Sequence, residues 1–147
     1  MAQRQRSSEA YFRKIDFVFY NEEKIRVAVA EVRADDGRPR LRQKIENTDP
    51  TVTQAVRNLT PLTKVMLDCE QTLEYPELWL EVIDKTWAWA RAQPDCRYEI
   101  ARRRYAKEDY RKTCMDLYIS RNTYRRLFDL VRMYAALQAV QLGLIRV

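Results

Sequence analysis

EDYRKTCMDLYISRNTYRRLFDLV, residues 108–131, is the stretch whose reading decides the fold. It parses as a helix-turn-helix. A first helix from Asp109 to about Leu117 needs a small residue where a second helix crosses it, and Cys114 occupies that place. Tyr118, Ile119 and Ser120 make the tight turn, with Ile119 plugging the space between the helices and Ser120 capping the second one. That second helix turns Tyr124, Leu127, Phe128 and Val131 inward, at spacings of three, one and three. Its other face carries Arg121, Asn122, Arg125, Arg126 and Asp129. Arginine and asparagine near the start of a recognition helix are the residue types that read guanine and adenine edges in the major groove. Ser120 and Thr123, with Arg111 and Lys112 on the preceding helix, are placed to contact phosphate. One position departs from the pattern. Where glycine usually sits the chain has Tyr118, which requires a positive φ or an altered turn. The competing reading is an ordinary helical hairpin with a solvated basic face.

Charge falls on the same stretch. The 147 residues carry a net +6, and residues 97–132, with eleven basic and five acidic side chains, account for all of it. Residues 1–48 carry +3, residues 49–95 carry −4, and Arg146 adds +1. A chain polarised this way implies an anionic partner met by one end of the molecule.

Composition removes most catalytic classes. There is no histidine, hence no Ser-His-Asp or Cys-His chemistry and no histidine-containing zinc site. The two glycines, Gly37 and Gly143, are too far apart for a dinucleotide turn or a Walker A loop. Cys69, Cys96 and Cys114 form an odd, widely spaced set without C-x-x-C, which reads as reduced thiols of a cytosolic protein rather than a metal site. No cofactor and no catalytic residue is expected. MAQRQRSSEA has no apolar run behind its arginines, unlike a signal peptide, and nowhere do 18 apolar residues follow one another.

Outward from the motif, an all-α chain is expected: a helical amino-terminal arm and basic linker over 1–48, then a multi-helix body over 49–147. Asp49-Pro50, Thr60-Pro61, Tyr75-Pro76 and Gln93-Pro94 read as helix starts, since proline lacks the amide that a first helical turn leaves unpaired. They predict helices near 50–59, 61–74, 76–92 and 95–105. Leu62, Val65, Met66, Cys69 and Leu73 form one apolar stripe; Trp79, Val82, Ile83, Thr86, Trp87 and Ala90 form another, read as core.

In the arm, Tyr11, Ile15, Val18, Glu22, Ile25, Val29 and Val32 follow a heptad seam interrupted at Glu22, with Ser7 or Ser8 as cap. Ile25, Val27 and Val29 also alternate like a strand, but a lone strand has no partner, so helix is expected. Residues 34–48, with Arg38, Arg40, Arg42 and Lys44, read as a basic linker. Past the motif, Leu127, Leu130, Tyr134, Leu137, Gln141 and Leu144 continue an apolar stripe to about Leu142, with Gly143 ending the helix. Either this stripe folds back on the body or it mediates self-association, through this helix or the first one.

The run YEIARRRYAKEDYRKTCMDLYISRNTYRRLFDLV from Tyr98 resembles the carboxyl-terminal half of phage late-gene transcription activators of the RinA and ArpU type, themselves similar to the promoter-reading helix-turn-helix of bacterial sigma factors. The residues that carry the likeness are Arg103 and Tyr105, then Ile119, Ser120, Arg121, Thr123, Tyr124 and Arg125. DPT at 49–51 and PELWLEVIDKTW at 76–87 are similar to a less characterised branch of these proteins. The resemblance implies a cytoplasmic protein of the bacterial host cell that binds double-stranded DNA upstream of late phage genes and stimulates host RNA polymerase.

Three other readings compete. A small packaging (terminase) subunit also joins a helix-turn-helix to oligomerising helices. A magnesium-dependent nuclease would draw on Glu70, Glu74, Glu77, Glu81 and Asp84, although acidic residues at helical spacing usually form a solvated face. A protein-interaction module would show no salt-sensitive binding to any DNA.

Overall fold

The computed structural model describes residues 2–36, 62–67 and 71–146. These comprise helices α1 (Ala2–Tyr20) and α2 (Glu22–Asp36), strands β1 (Lys64–Met66) and β2 (Thr72–Glu74), and helices α3 (Pro76–Ala92), α4 (Arg97–Tyr105), α5 (Tyr110–Leu117) and α6 (Arg121–Gln141). The described residues are all-α apart from this one small hairpin. None of the described helices is long and apolar enough to cross a membrane. The expected helix at 50–59, the helix starts at Asp49-Pro50 and Thr60-Pro61, and the linker arginines lie outside the described residues. The chain divides into two compact units, Met1–Glu22 with Leu78–Val147, and Glu23–Glu77.

In the larger unit, α6 packs against α4, α1 and α5. The stripe expected on α3 is buried as read, from Trp79 at 2% exposure through Val82, Ile83, Thr86 and Trp87 to Ala90. Thr86 satisfies its hydroxyl by donating to the Val82 carbonyl at 2.7 Å. Ile15, Val18 and Phe19 add the buried face of α1. Phe19 and Tyr105 stack at 5.2 Å, Trp87 meets Phe19 edge-on at 5.3 Å, and Phe128 lies 5.4 Å from Tyr105. One polar contact ties three helices together. Asp16 of α1 accepts from the Tyr105 hydroxyl of α4 at 2.8 Å and from Arg132 of α6, through Nε at 3.0 Å and through Nη2.

Burial, and next Asp16, push the Tyr105 phenol well above its ordinary value. Its neutral form is therefore favoured in the fold, so the stabilisation is complete below the unfolded phenol value near 10 and is lost above it. Stability is expected to fall above about pH 10, by up to ~1.4 kcal/mol per pH unit from this one group. Urea titrations between pH 9 and 11 should show a flatter pH dependence for Tyr105→Phe; an unchanged slope would refute the assignment.

The seam of the arm breaks at Asn21, whose amide bonds to Phe17 and Val18 carbonyls and whose side chain donates to Phe17 O at 2.7 Å. α1 runs from Ala2, upstream of the start expected at Ser7 or Ser8, because Ala2-Gln3-Arg4-Gln5-Arg6 are strong helix formers. Residues 34–36 continue α2 rather than beginning the linker.

In the smaller unit, the helix expected over 61–74 is replaced by an antiparallel hairpin. Val65 pairs with Leu73, Lys64 with Glu74 and Met66 with Thr72. Val65 and Leu73 are buried while Met66 is 64% exposed, so the period is two, not three or four. Tyr75 N–H donates to Thr63 O, and Leu67 N–H to Gln71 O, both at 2.8 Å. Glu77 pairs with Arg33 at 2.6 Å.

Pro76 opens α3 as expected, but Pro94 does not open α4. Asp95 organises that start instead: its carboxylate accepts from Arg97 N at 3.1 Å and clamps the Arg97 guanidinium at 2.7 and 2.6 Å. This hydrogen bonding to Arg97 holds the Asp95 carboxyl below its usual range.

Candidate nucleic-acid interface

The geometry of α5 and α6 follows from three local devices. Asp109 caps α5, its side chain accepting from Arg111 N at 3.1 Å. Ser120 caps α6, accepting from Thr123 N at 3.1 Å while donating to Thr123 Oγ1 at 3.0 Å. Between them, Tyr118 adopts φ 54° and ψ 46°, the left-handed conformation its position demanded. Tyr118 N–H reaches Met115 O and Ile119 N–H reaches Cys114 O, closing α5 with a Schellman motif. The same motif closes α4 at Lys107 (φ 63°) and α6 at Gly143 (φ 74°).

A non-glycine residue held in this conformation costs about 1 kcal/mol. Because the Tyr118 ring is 95% exposed, it returns little packing for that cost. Tyr118→Gly is expected to raise stability by up to ~1 kcal/mol, allowing for glycine's larger loss of freedom on folding. Chemical denaturation checks this, and a loss of stability would mean that the ring contributes to the fold.

The inward face of α6 is as read: Tyr124, Leu127, Phe128 and Val131 are all buried. On α5 the deepest residue is Thr113, at 1% exposure, with Cys114 and Ile119 half-buried. Thr113 tolerates burial because its hydroxyl donates to Asp109 O at 3.4 Å. Farther along α6, the stripe departs from expectation. Ala135 and Ala139 face inward, while Met133 (52%), Leu137 (61%) and Val140 (36%) are exposed. Small residues permit close helix approach, and this displaces the larger ones outward. Tyr134 stacks on Trp89 at 4.2 Å, so one flank of the tail does fold back on the body.

Arg111, Lys112, Ser120, Arg121, Asn122, Arg125 and Arg126 are exposed, and Thr123 is half-buried. Tyr110 draws two of them together, with the Arg111 and Arg121 guanidinium groups 5.8 and 5.3 Å from its ring centre. Its phenol is lowered, first by the hydrogen bond from Arg111 and then by the charges of Arg121 and Arg111. Arg121 and Arg125 also line a common cleft of about 520 Å³. Arg126 stands apart, close enough to Asp95 to help lower its carboxyl. Ser120 and Thr123 spend hydroxyl capacity on each other. Sequence reasoning missed Arg104 and Tyr110. Arg104 precedes the motif and joins Arg121 and Arg125 only through the packing of α4 on α6.

Of the carboxylates considered for metal chemistry, Glu77 pairs with Arg33 and Glu81 with Lys85 at 2.9 Å, while Glu70 lies outside the described residues. Among the described residues no group of three or more acidic, cysteine or histidine side chains is arranged to hold a metal ion. Comparison of the chain with known protein families, with curated proteins and with solved structures finds no match.

Proposed function

We propose that the chain is a sequence-specific DNA-binding transcription regulator that reads duplex DNA with the amino-terminal half of α6. The observation that carries this reading is the outward set Arg121, Asn122, Arg125 and Arg126 at that end of the helix, within the segment holding the whole net charge. Arginine reads guanine and asparagine reads adenine, each through paired hydrogen bonds. Arg111 and Lys112 on α5 supply phosphate contacts. The resemblance to phage late-gene activators supports a promoter as target and host RNA polymerase as partner.

Selection from a random duplex pool tests the reading. A single enriched motif is expected for the parent chain. Arg125→Ala should relax preference at one base position, whereas Lys112→Ala should weaken all sequences alike. Equal affinity for every duplex, before and after mutation, would sink the specific version.

The exposed face of α6 supports a second copy of this chain as partner. Met133, Leu137 and Val140 are exposed at spacings of four and three, and residues 133–145 carry no charge at all in a chain that is 33% charged. Two copies of a +6 chain approach each other most easily along such a strip. Leu137→Glu is therefore expected to shift a dimer to monomer in light scattering. A parent chain that is already monomeric refutes the dimer, and a ring of eight or more subunits would favour the packaging role.

A further inference from the structure

The cleft of about 520 Å³ between α4, α5 and α6 lies in the size range of small-molecule sites, well beyond what one phosphate contact requires. Its cationic lining is unusual. Arg104, Arg121 and Arg125 all face it, and among the described residues none has a carboxylate partner. Arg132, the fourth guanidinium, is held by Asp16 and Asp129, which also accounts for the acidic side chain in the wall.

Aromatic rings back these cations. Arg104 and Arg132 lie 5.6 and 4.5 Å from the Phe128 ring centre, and Arg121 lies over Tyr110. Guanidinium groups laid on aromatic rings are flat cationic plates, on which a nucleobase stacks while their edges take phosphate oxygens.

A second, independent feature points to a ligand. Tyr124 lines the cleft and is only 4% exposed, and Arg104 lies against its hydroxyl without closing a hydrogen bond of normal geometry. Buried polar groups are nearly always paired, so an incompletely paired phenol beside a cationic cleft marks a position that a ligand or a repositioned side chain completes. Burial raises this phenol, and Arg104, lying near it, acts in the opposite direction. The hydroxyl is therefore a proton donor at neutral pH.

We propose that this cleft binds a free nucleoside monophosphate, its phosphate held by Arg104, Arg121 and Arg125 and its base stacked on the ring-backed guanidinium faces of Arg104 and Arg121. Binding needs no duplex. Arg121 and Arg125 belong to both surfaces, so a bound nucleotide also competes with DNA if the proposed function holds.

Calorimetry on the full chain, without DNA, tests the site with adenosine monophosphate and separately with inorganic phosphate. One nucleotide per chain is expected, with phosphate alone binding about tenfold more weakly. Arg104→Gln should weaken the nucleotide about tenfold through loss of a charge-assisted contact. Tyr124→Phe should weaken it severalfold while leaving the ligand-free melting temperature unchanged or higher, because the hydroxyl closes no hydrogen bond of normal geometry in the free protein. No heat up to about 5 mM nucleotide overturns the proposal. So do equal affinities for nucleotide and phosphate, or a nucleotide affinity untouched by both substitutions. A chain that binds duplex DNA but not the nucleotide overturns the cleft and leaves the regulator standing. The converse outcome does the reverse.

Discussion

Raising monovalent salt from 50 to 200 mM is expected to weaken duplex binding by roughly 10³-fold. The magnitude follows from the number of cations on the side proposed to face DNA. Arg111, Lys112, Arg121, Arg125 and Arg126 are exposed, and Arg104 borders the same cleft as Arg121 and Arg125. Six such cations brought against the duplex, whether on phosphates or on base edges, displace about six counterions at a slope near −0.9 each on a log–log plot, which over a fourfold change in salt amounts to about three decades. Fluorescence anisotropy with a labelled duplex measures it. Lys112→Ala should lower the slope by about one contact for specific and random duplexes alike. A slope shallower than about two contacts would mean that the cations are only a solvated helix face. Such a result would return the chain to the interaction-module reading.

The features around these cations differ in how visible they are before folding. Ser120 announces itself as a cap because its side chain has one local partner, three residues ahead, whereas Asp109, read as the first residue of the helix, proves to be its cap. The inward face of α3 is legible for a similar reason: six apolar or small residues at helical period leave one way to bury two tryptophans. The hairpin is a different case. Leu62, Val65, Met66, Cys69 and Leu73 fit a helical period over five positions, while the strand alternation that wins spans three residues on each side. Pairing Val65 with Leu73 across the hairpin is a non-local contact, which a window along the chain does not register.

Helix endings were concealed by composition. Among the described residues three Schellman closures exist, at Lys107, Tyr118 and Gly143, and only the last uses glycine. With two glycines in the chain, the search for stops found one of three directly and one, at Tyr118, only by the logic of the motif. The cleft was hidden for a further reason. Arg104 and Tyr124 are twenty positions apart, and an unpaired buried hydroxyl can be seen only once its neighbours are in place. On α6 the inward role of Ala135 and Ala139 was masked by the greater hydrophobicity of Leu137 and Met133, which ranks residues by size where close helix packing selects for smallness.

Replacing Asp16 by alanine is expected to cost ~2–3 kcal/mol, lowering the melting temperature by about 5–10 °C. Asp16 and Arg132 side chains are only 21% and 20% exposed, so the pair is largely withdrawn from water. Deleting the carboxylate leaves two groups without a partner they now share, the Arg132 guanidinium and the Tyr105 hydroxyl. Asp129, at 3.4 Å from Arg132 Nη1 and half exposed, offsets a part of the loss, which is why the full cost of an orphaned buried charge is not expected. Asp16→Asn keeps an acceptor for Tyr105 and should fall between the parent and alanine. Thermal unfolding followed by circular dichroism ranks the three, and a change below about 0.5 kcal/mol for alanine would place the contact among ordinary surface pairs. The effect also reaches function by position. Arg132 lies two turns beyond Arg125 on α6, and Asp16 pins it to α1 and, through Tyr105, to α4. A chain that retains its helix content yet loses this pin should bind DNA more weakly at temperatures where it is still folded, because the reading helix is no longer held at one angle to α5. Alanine at Asp16 that destabilises without touching DNA affinity would show instead that α5 and the Tyr118 turn orient α6 by themselves.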